Sequence, residues 1–247
     1  MTDQLTRTPI EPDPANSEQA LGHHKNFAIL GLPKDYGDQT EIQARATEMV
    51  KEMDLQGKYD QGWEPVPLQG LEENASAAVG DNEIIEPLVR YYATLAKSWG
   101  FTGQAELGVM IQADKPKDNP NEMIHRDGVG SAANLEVQKG KQVRTIRFVY
   151  PIGRPGTIVY PDLDHKGAVV DWKNEIVANP TEQQQLISPH VMVAKDSERQ
   201  KLLDGASATQ LVPGTTLVFD MTSSPWHMAP PATPDGAVMT VNVMESW

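Results

Sequence analysis

Two short motifs far apart in the chain, His125-Arg126-Asp127-Gly128 and Trp226-His227-Met228-Ala229-Pro230, constrain the fold more than any other feature of the sequence. On an extended segment, residues two positions apart project to the same side, so His125 and Asp127 present an imidazole and a carboxylate together. A distant third imidazole, from His227, can then close a three-ligand face on a single metal ion. Such a face is a two-His-one-carboxylate triad, and it leaves adjacent positions open on a ferrous ion for further ligands. A site of this kind serves redox chemistry.

The segments around the motifs read as β structure. Glu106–Gln112 (ELGVMIQ) alternates as a strand and is followed by a polar, Pro-containing loop from Asp114 to Glu122, which delivers His125 at the rim of a sheet. Val143–Tyr150 (VRTIRFVY) and Gly156–Tyr160 (GTIVY) are rich in β-branched and aromatic residues and are separated by a Gly-Arg-Pro-Gly turn. Downstream, Pro213-Gly214 marks a turn, Thr215–Asp220 (TTLVFD) a strand, and His227 falls just beyond it. The last strand spans Val238–Met244.

This order of His-x-Asp, hairpin, long insertion, Pro-Gly turn, apolar strand, His near a Pro and final strand resembles the Fe(II)/2-oxoglutarate-dependent dioxygenase superfamily over residues 100–247. The resemblance implies an α+β protein with a double-stranded β-helix core, jelly-roll or cupin-like, buttressed by N-terminal helices. It places the metal ligands at His125, Asp127 and His227, with Fe(II), 2-oxoglutarate as co-substrate and O2. The implied reaction couples decarboxylation of the keto acid, giving succinate and CO2, to oxidation of an unactivated carbon. In the related radical halogenases a small residue replaces the carboxylate. Asp127 therefore favours hydroxylation, or desaturation and cyclisation, over halogenation.

Members of this superfamily usually hold the distal carboxylate of 2-oxoglutarate with an Arg or Lys soon after the second His, but Met228–Trp247 contains neither. Other branches take the basic residue from a strand after His-x-Asp, where this chain has Arg144 and Arg147. A guanidinium suits a carboxylate because its planar fork donates two parallel hydrogen bonds. Alternation puts the two arginines on opposite faces, so at most one enters the barrel. Arg144 shares its face with Ile146, Phe148 and Tyr150, a core-like set, and is the favoured anchor. Trp226 and Tyr150 are expected to shape the substrate pocket, and Asp220 could orient His227 through its second nitrogen.

Other readings compete. His-Arg-Asp also opens a protein-kinase catalytic loop, but the Asn expected five residues after the Asp is Ala132, and no Gly-rich loop, strand Lys or Asp-Phe-Gly occurs in the expected order. A cupin-like isomerase or ligand-binding barrel shares the fold, although its metal set calls for His-x-His with a Glu shortly after. An Fe(II) oxygenase using no keto acid also stays open, because the C-terminal segment lacks a basic residue.

Composition bounds the partners. With 247 residues the chain can bury a substantial core, and its formal charge of −13 argues against nucleic acid or an anionic membrane surface. The expected partner is a small molecule, such as an amino acid or derivative, and a homo-oligomer is left open. The absence of cysteine excludes disulfides, and with no apolar run of spanning length and no signal-peptide pattern a soluble cytoplasmic protein is expected.

Residues 1–24 are polar and Pro-containing, and are expected to form a flexible tail or an arm over the core. The rest, 25–247, is expected to be one oxygenase domain, with helical support over 38–100, a barrel over 101–247 and an insertion or lid over 161–211. Phe27–Leu30 reads as a strand. Thr40–Met53 and Asn82–Trp99 read as helices, the second despite Pro87 in its first turns. The insertion suggests a strand over Gln185–Ala194 and a helix over Asp196–Asp204. His165, His190 and the pair His23-His24 read as ordinary polar residues.

Overall fold

The computed structural model describes residues 20–24, 27–32, 38–56, 60–114, 124–128, 136, 139–163, 168–170, 176–181, 184, 190–191, 203–221, 224–228, 233 and 235–247. Outside them lie residues 1–19 of the expected tail, 115–122 of the loop before His125, and the Ala229-Pro230 dipeptide. His165, Asp171, Trp172 and most of the strand and helix expected in the insertion are outside as well.

The first part of the chain forms β1 (Ala20–His24), β2 (Phe27–Gly31), α1 (Gln39–Leu55), β3 (Asp60–Pro67), α2 (Ser76–Val79) and α3 (Glu86–Ser98). The middle supplies β4 (Glu106–Ala113), β5 (His125–Arg126), β6 (Val143–Ile152), β7 (Ile158–Tyr160), β8 (Ala168–Val170), β9 (Ile176–Val177) and β10 (His190–Val191). The chain finishes with β11 (Thr209–Gln210), β12 (Thr215–Asp220), β13 (Trp226–Met228) and β14 (Ala237–Ser246).

These strands build two seven-stranded sheets, a major one in the order β1-β2-β12-β6-β14-β4-β3 and a minor one in the order β11-β7-β13-β5-β10-β8-β9. Successive strands β4 and β5, β6 and β7, and β12 and β13 fall in opposite sheets. The chain thus crosses repeatedly between two facing antiparallel layers, which is the winding of a double-stranded β-helix. Val149, Leu217 and Phe219 of the major sheet meet Val159 of the minor sheet in a cluster closed by Leu211 and Met221.

The outer face of the major sheet is covered by helices. Asp38 caps α1, its Oδ1 accepting from the Thr40 and Glu41 amides at 2.8 and 3.0 Å. α3 buries Leu88, Val89, Tyr91, Tyr92, Ala93 and Ala96. Pro87 sits in its first turn, where a missing amide hydrogen costs no helical bond. Phe148 of β6 stacks between Tyr92 and Trp99, with ring centroids 4.5 and 5.9 Å away. β6 is therefore buried on both faces over most of its length. Among the described residues no helix is long and apolar enough to cross a membrane.

The N-terminal region contributes more strand than its composition suggests. Residues 20–24, at the end of the expected tail, pair with β2, and β3 lines the other edge of the major sheet. Pro65 obscures β3 in sequence. An edge strand tolerates it, and the register shifts between Trp63 and Val66 around it. At the turn leaving β6, Gly153 adopts φ 63°, and a Cβ there would stand 2.7 Å from the Asp235 carbonyl oxygen. Beside that turn the buried Arg154 pairs with Asp114 at the end of β4, whose second oxygen accepts the Thr233 amide at 3.0 Å. Thr233, between β13 and β14, is held there.

Truncating Phe148 to Ala removes the ring on which the sheet and α3 meet. A loss of about 3–5 kcal/mol is expected, read from urea unfolding of the variant against the parent protein.

Candidate metal centre

β5 and β13 are short neighbours in the minor sheet, and among the described residues His125 and His227 pair across them. Directly opposed residues on adjacent strands share a face, so the two rings meet with centroids 4.4 Å apart and planes inclined at 58°. Asp127 follows two positions after His125 and reaches the same point. Its Oδ1 lies 3.8 Å from His125 Nε2 and 3.7 Å from His227 Nε2. One ligand atom from each of the three residues falls within 4.8 Å of the others, a set able to hold a metal ion. The His-Arg-Asp sequence thus sits on a strand edge inside a barrel, where a kinase catalytic loop has no place.

The hydrogen bonds around these side chains determine which atoms face the centre. His227 Nδ1 is 2.9 Å from the carbonyl oxygen of Pro225. A carbonyl only accepts, so Nδ1 carries the proton. Burial, then the neighbouring His125, hold the His227 pKa down to about 4, so the ring is neutral near pH 7 and its Nε2 keeps a free lone pair. Asp127 is treated in the opposite way. Burial alone would raise its pKa, but Arg147, followed by His227 and His125, overrides that and holds it at about 2. The site therefore presents two imidazoles and an ionised carboxylate at neutral pH.

Arg147 projects from β6 into the barrel. Its amino group donates to Asp127 Oδ2 at 2.6 Å and its Nε to Asn242 Oδ1 at 2.8 Å. Asn242 is the residue opposite Arg147 on β14. Arg144 points the other way. It donates to the Trp99 carbonyl at the end of α3 and lies over the Phe101 ring, with 4.4 Å to the centroid. A cation at that helix end also opposes the helix dipole. The expectation that Arg144 faces the barrel is thereby corrected: Arg147 is the arginine on that side. Ile146, Phe148 and Tyr150 do face a core, but it is the layer between sheet and helices. Both faces of the sheet are buried, so apolar neighbours alone could not identify the barrel side.

The same alternation corrects two further expectations. Tyr150 is buried in the helical layer, away from the histidines. Trp226, next to His227 on β13, turns to the outer face of the minor sheet, where it packs with Ile124 and Tyr160. The role expected of Asp220 falls to the Pro225 carbonyl, since Asp220 pairs with Ile146 on the helix-facing side of β12. Asn242, Ser224, Pro225 and Arg126 complete the surroundings. None of them carries a sequence signal, because each acts through register or a backbone atom.

Elsewhere, an open groove of about 680 Å³ between α1, β3 and the segment joining α2 to α3 shares no residue with this centre.

No family model matches the chain, and no curated protein matches its sequence. Among solved structures, EvdO2 from Micromonospora carbonacea var. aurantiaca superposes with a TM-score of 0.45 at 9% identity, covering 93% of this chain and 94% of that one. A prolyl-4-hydroxylase from Pseudomonas putida gives 0.40 at 9% identity, over 89% and 92% of the two chains. The non-haem α-ketoglutarate-dependent epimerase SnoN, from nogalamycin biosynthesis, gives 0.42 at 11%, over 89% and 78%. At these scores no residue's role carries over. The double-stranded β-helix is evident from the strand order itself.

The depressed His227 pKa has a signed consequence in the metal-free protein. Between pH 6.5 and 4 the unfolded chain takes up a proton that the folded ring refuses, so stability falls as pH falls through that window and levels off below it. Chemical unfolding in the presence of a chelator should show this slope, and His227→Gln should flatten it.

Proposed function

We propose that this protein is a non-haem Fe(II)- and 2-oxoglutarate-dependent oxygenase acting on a small molecule, with an amino acid or derivative as the substrate class. The observation that carries this reading is the convergence of His125 Nε2, His227 Nε2 and Asp127 Oδ1 inside a double-stranded β-helix. The donor set suits Fe(II): two imidazoles and one carboxylate occupy one face and leave the opposite side to other ligands. When bound, the iron with the keto acid and O2 supplies the oxidising chemistry, and the protein supplies orientation and exclusion of competing reactions.

Each side chain then has a task. His227 offers Nε2 because Pro225 holds the proton on Nδ1. Asp127 offers Oδ1 because Arg147 occupies Oδ2. Among the described residues the second terminal amino group of Arg147 has no partner, and it is suited to a carboxylate of the co-substrate. Two buried hydroxyls on the same sheet face, Thr145 Oγ1 and Thr240 Oγ1, also have no hydrogen-bond partner. They stand on either side of Arg147 along the paired strands, and a carboxylate bound beside Arg147 would satisfy one of them. We assign the barrel over 101–247 to this chemistry and the segment 161–211 to covering it.

One observation favours a second reading. Arg147 is already engaged with Asp127 and Asn242, as expected if it serves only to hold the carboxylate in an Fe(II) oxygenase that uses no keto acid.

Anaerobic addition of Fe(II) and then 2-oxoglutarate to the apo protein separates the two. The weak visible charge-transfer band of a chelated keto acid is expected, and it should vanish in His125→Ala. Iron binding without that band would select the second reading, and no iron binding would remove both.

The arginines make a paired prediction. In the same titration Arg147→Gln should need roughly tenfold or more 2-oxoglutarate to reach half-saturation, the loss of one charged hydrogen bond. Arg144→Gln should leave that requirement unchanged and cost about 1–3 kcal/mol of unfolding free energy, through the uncapped Trp99 carbonyl.

A further inference from the structure

We infer that Ser224 is a positioning residue that locks the two halves of the metal centre together, an inference that rests on the metal site proposed above. The halves come from strands far apart in sequence, and among the described residues a single pair, His125 and His227, joins β5 to β13. So short a pairing leaves the relative placement of Asp127 and His227 weakly determined. Ser224, 1% exposed, lies between them. Its Oγ accepts the backbone amide of Asp127 at 3.0 Å and donates to the carbonyl of Pro225 at 3.2 Å. That carbonyl, with two lone pairs, also accepts His227 Nδ1 at 2.9 Å. The result is an unbroken chain from the Asp127 amide through a hydroxyl and a carbonyl to the His227 ring.

The position calls for a small group that accepts from one partner and donates to the next, which a hydroxyl does. Arg126 adds a second clasp. Its Nε donates to the Ser224 carbonyl at 2.6 Å, so the residue between His125 and Asp127 grips the segment that carries His227. Ser224 is not one of the three clustered donors, and it acts through the orientation of Asp127 and His227. Groups that orient metal ligands in this manner typically change metal affinity by roughly 10–100-fold when removed.

Co(II) titration of untagged protein, followed by its visible d–d absorption, tests the inference. Ser224→Ala should weaken Co(II) binding by roughly 10–100-fold and shift the d–d bands, and Ser224→Thr, which keeps the hydroxyl, should restore both. Arg126→Gln, at a half-buried position, should weaken binding by a smaller factor and provides the measurement if Ser224→Ala does not fold. Thr216→Val serves as the stability control. It removes the buried 2.7 Å hydrogen bond to Tyr92 in the helical layer, and should lower the melting temperature without altering Co(II) affinity or spectrum.

Wild-type binding with unchanged affinity and spectrum in Ser224→Ala would overturn the bridge alone. So would an unchanged Arg126→Gln where that variant provides the reading. Absence of Co(II) and Fe(II) binding by the wild type would overturn the metal site, and the bridge with it.

Discussion

The chemistry of this protein depends on one cross-strand pair. His125 and His227 stand opposite each other where β5 meets β13, and a shift of one residue in either strand would turn its imidazole to the outer face of the minor sheet. The winding of the barrel makes this meeting possible, because consecutive strands alternate between sheets and bring distant segments into register. The apolar cluster of Val149, Val159, Leu217 and Phe219 holds the sheets face to face at that level, and the Phe219 ring lies 5.9 Å from that of His227. Packing and register together set the position of the donor atoms.

Around that pair the charges are arranged so that at neutral pH His227 is neutral and Asp127 ionised. The same burial that denies His227 a proton would also deny Asp127 its charge. Arg147 breaks the symmetry by lying 2.6 Å from the carboxylate. Asn242 orients Arg147 in turn, so β14 contributes to the centre without supplying a ligand. The major sheet therefore decides the ionisation of a site whose ligands all come from the minor sheet and its margins.

Much of this was legible in sequence. The spacing of His125 and Asp127, the apolar strand before His227 and the turn residues between strands pointed to the barrel and to the three residues that meet in it. Both principal helices were readable from their apolar spacing. The arginines show where reading stopped. Parity correctly placed Arg144 and Arg147 on opposite faces, but β6 is covered by α3 on one side and by the minor sheet on the other, and apolar neighbours occur on both. Trp226 misled for a related reason, since adjacency to His227 in sequence means opposition across the sheet. β3 was hidden by Pro65, which only an edge position permits.

By itself the sequence determined the chemical inventory, namely the donor types, their two-residue spacing, the acidity of the chain, its freedom from cysteine and the periodicities of its strands and helices. These are local properties, expressed within a few residues of backbone. Tertiary structure alone decided which arginine faces the carboxylate, which carbonyl orients His227, and that Ser224 spans the two ligand segments. Those outcomes depend on the pairing of strands distant along the chain. Inter-strand register is set by the collective packing of two sheets and a helical layer, which no short window of sequence contains.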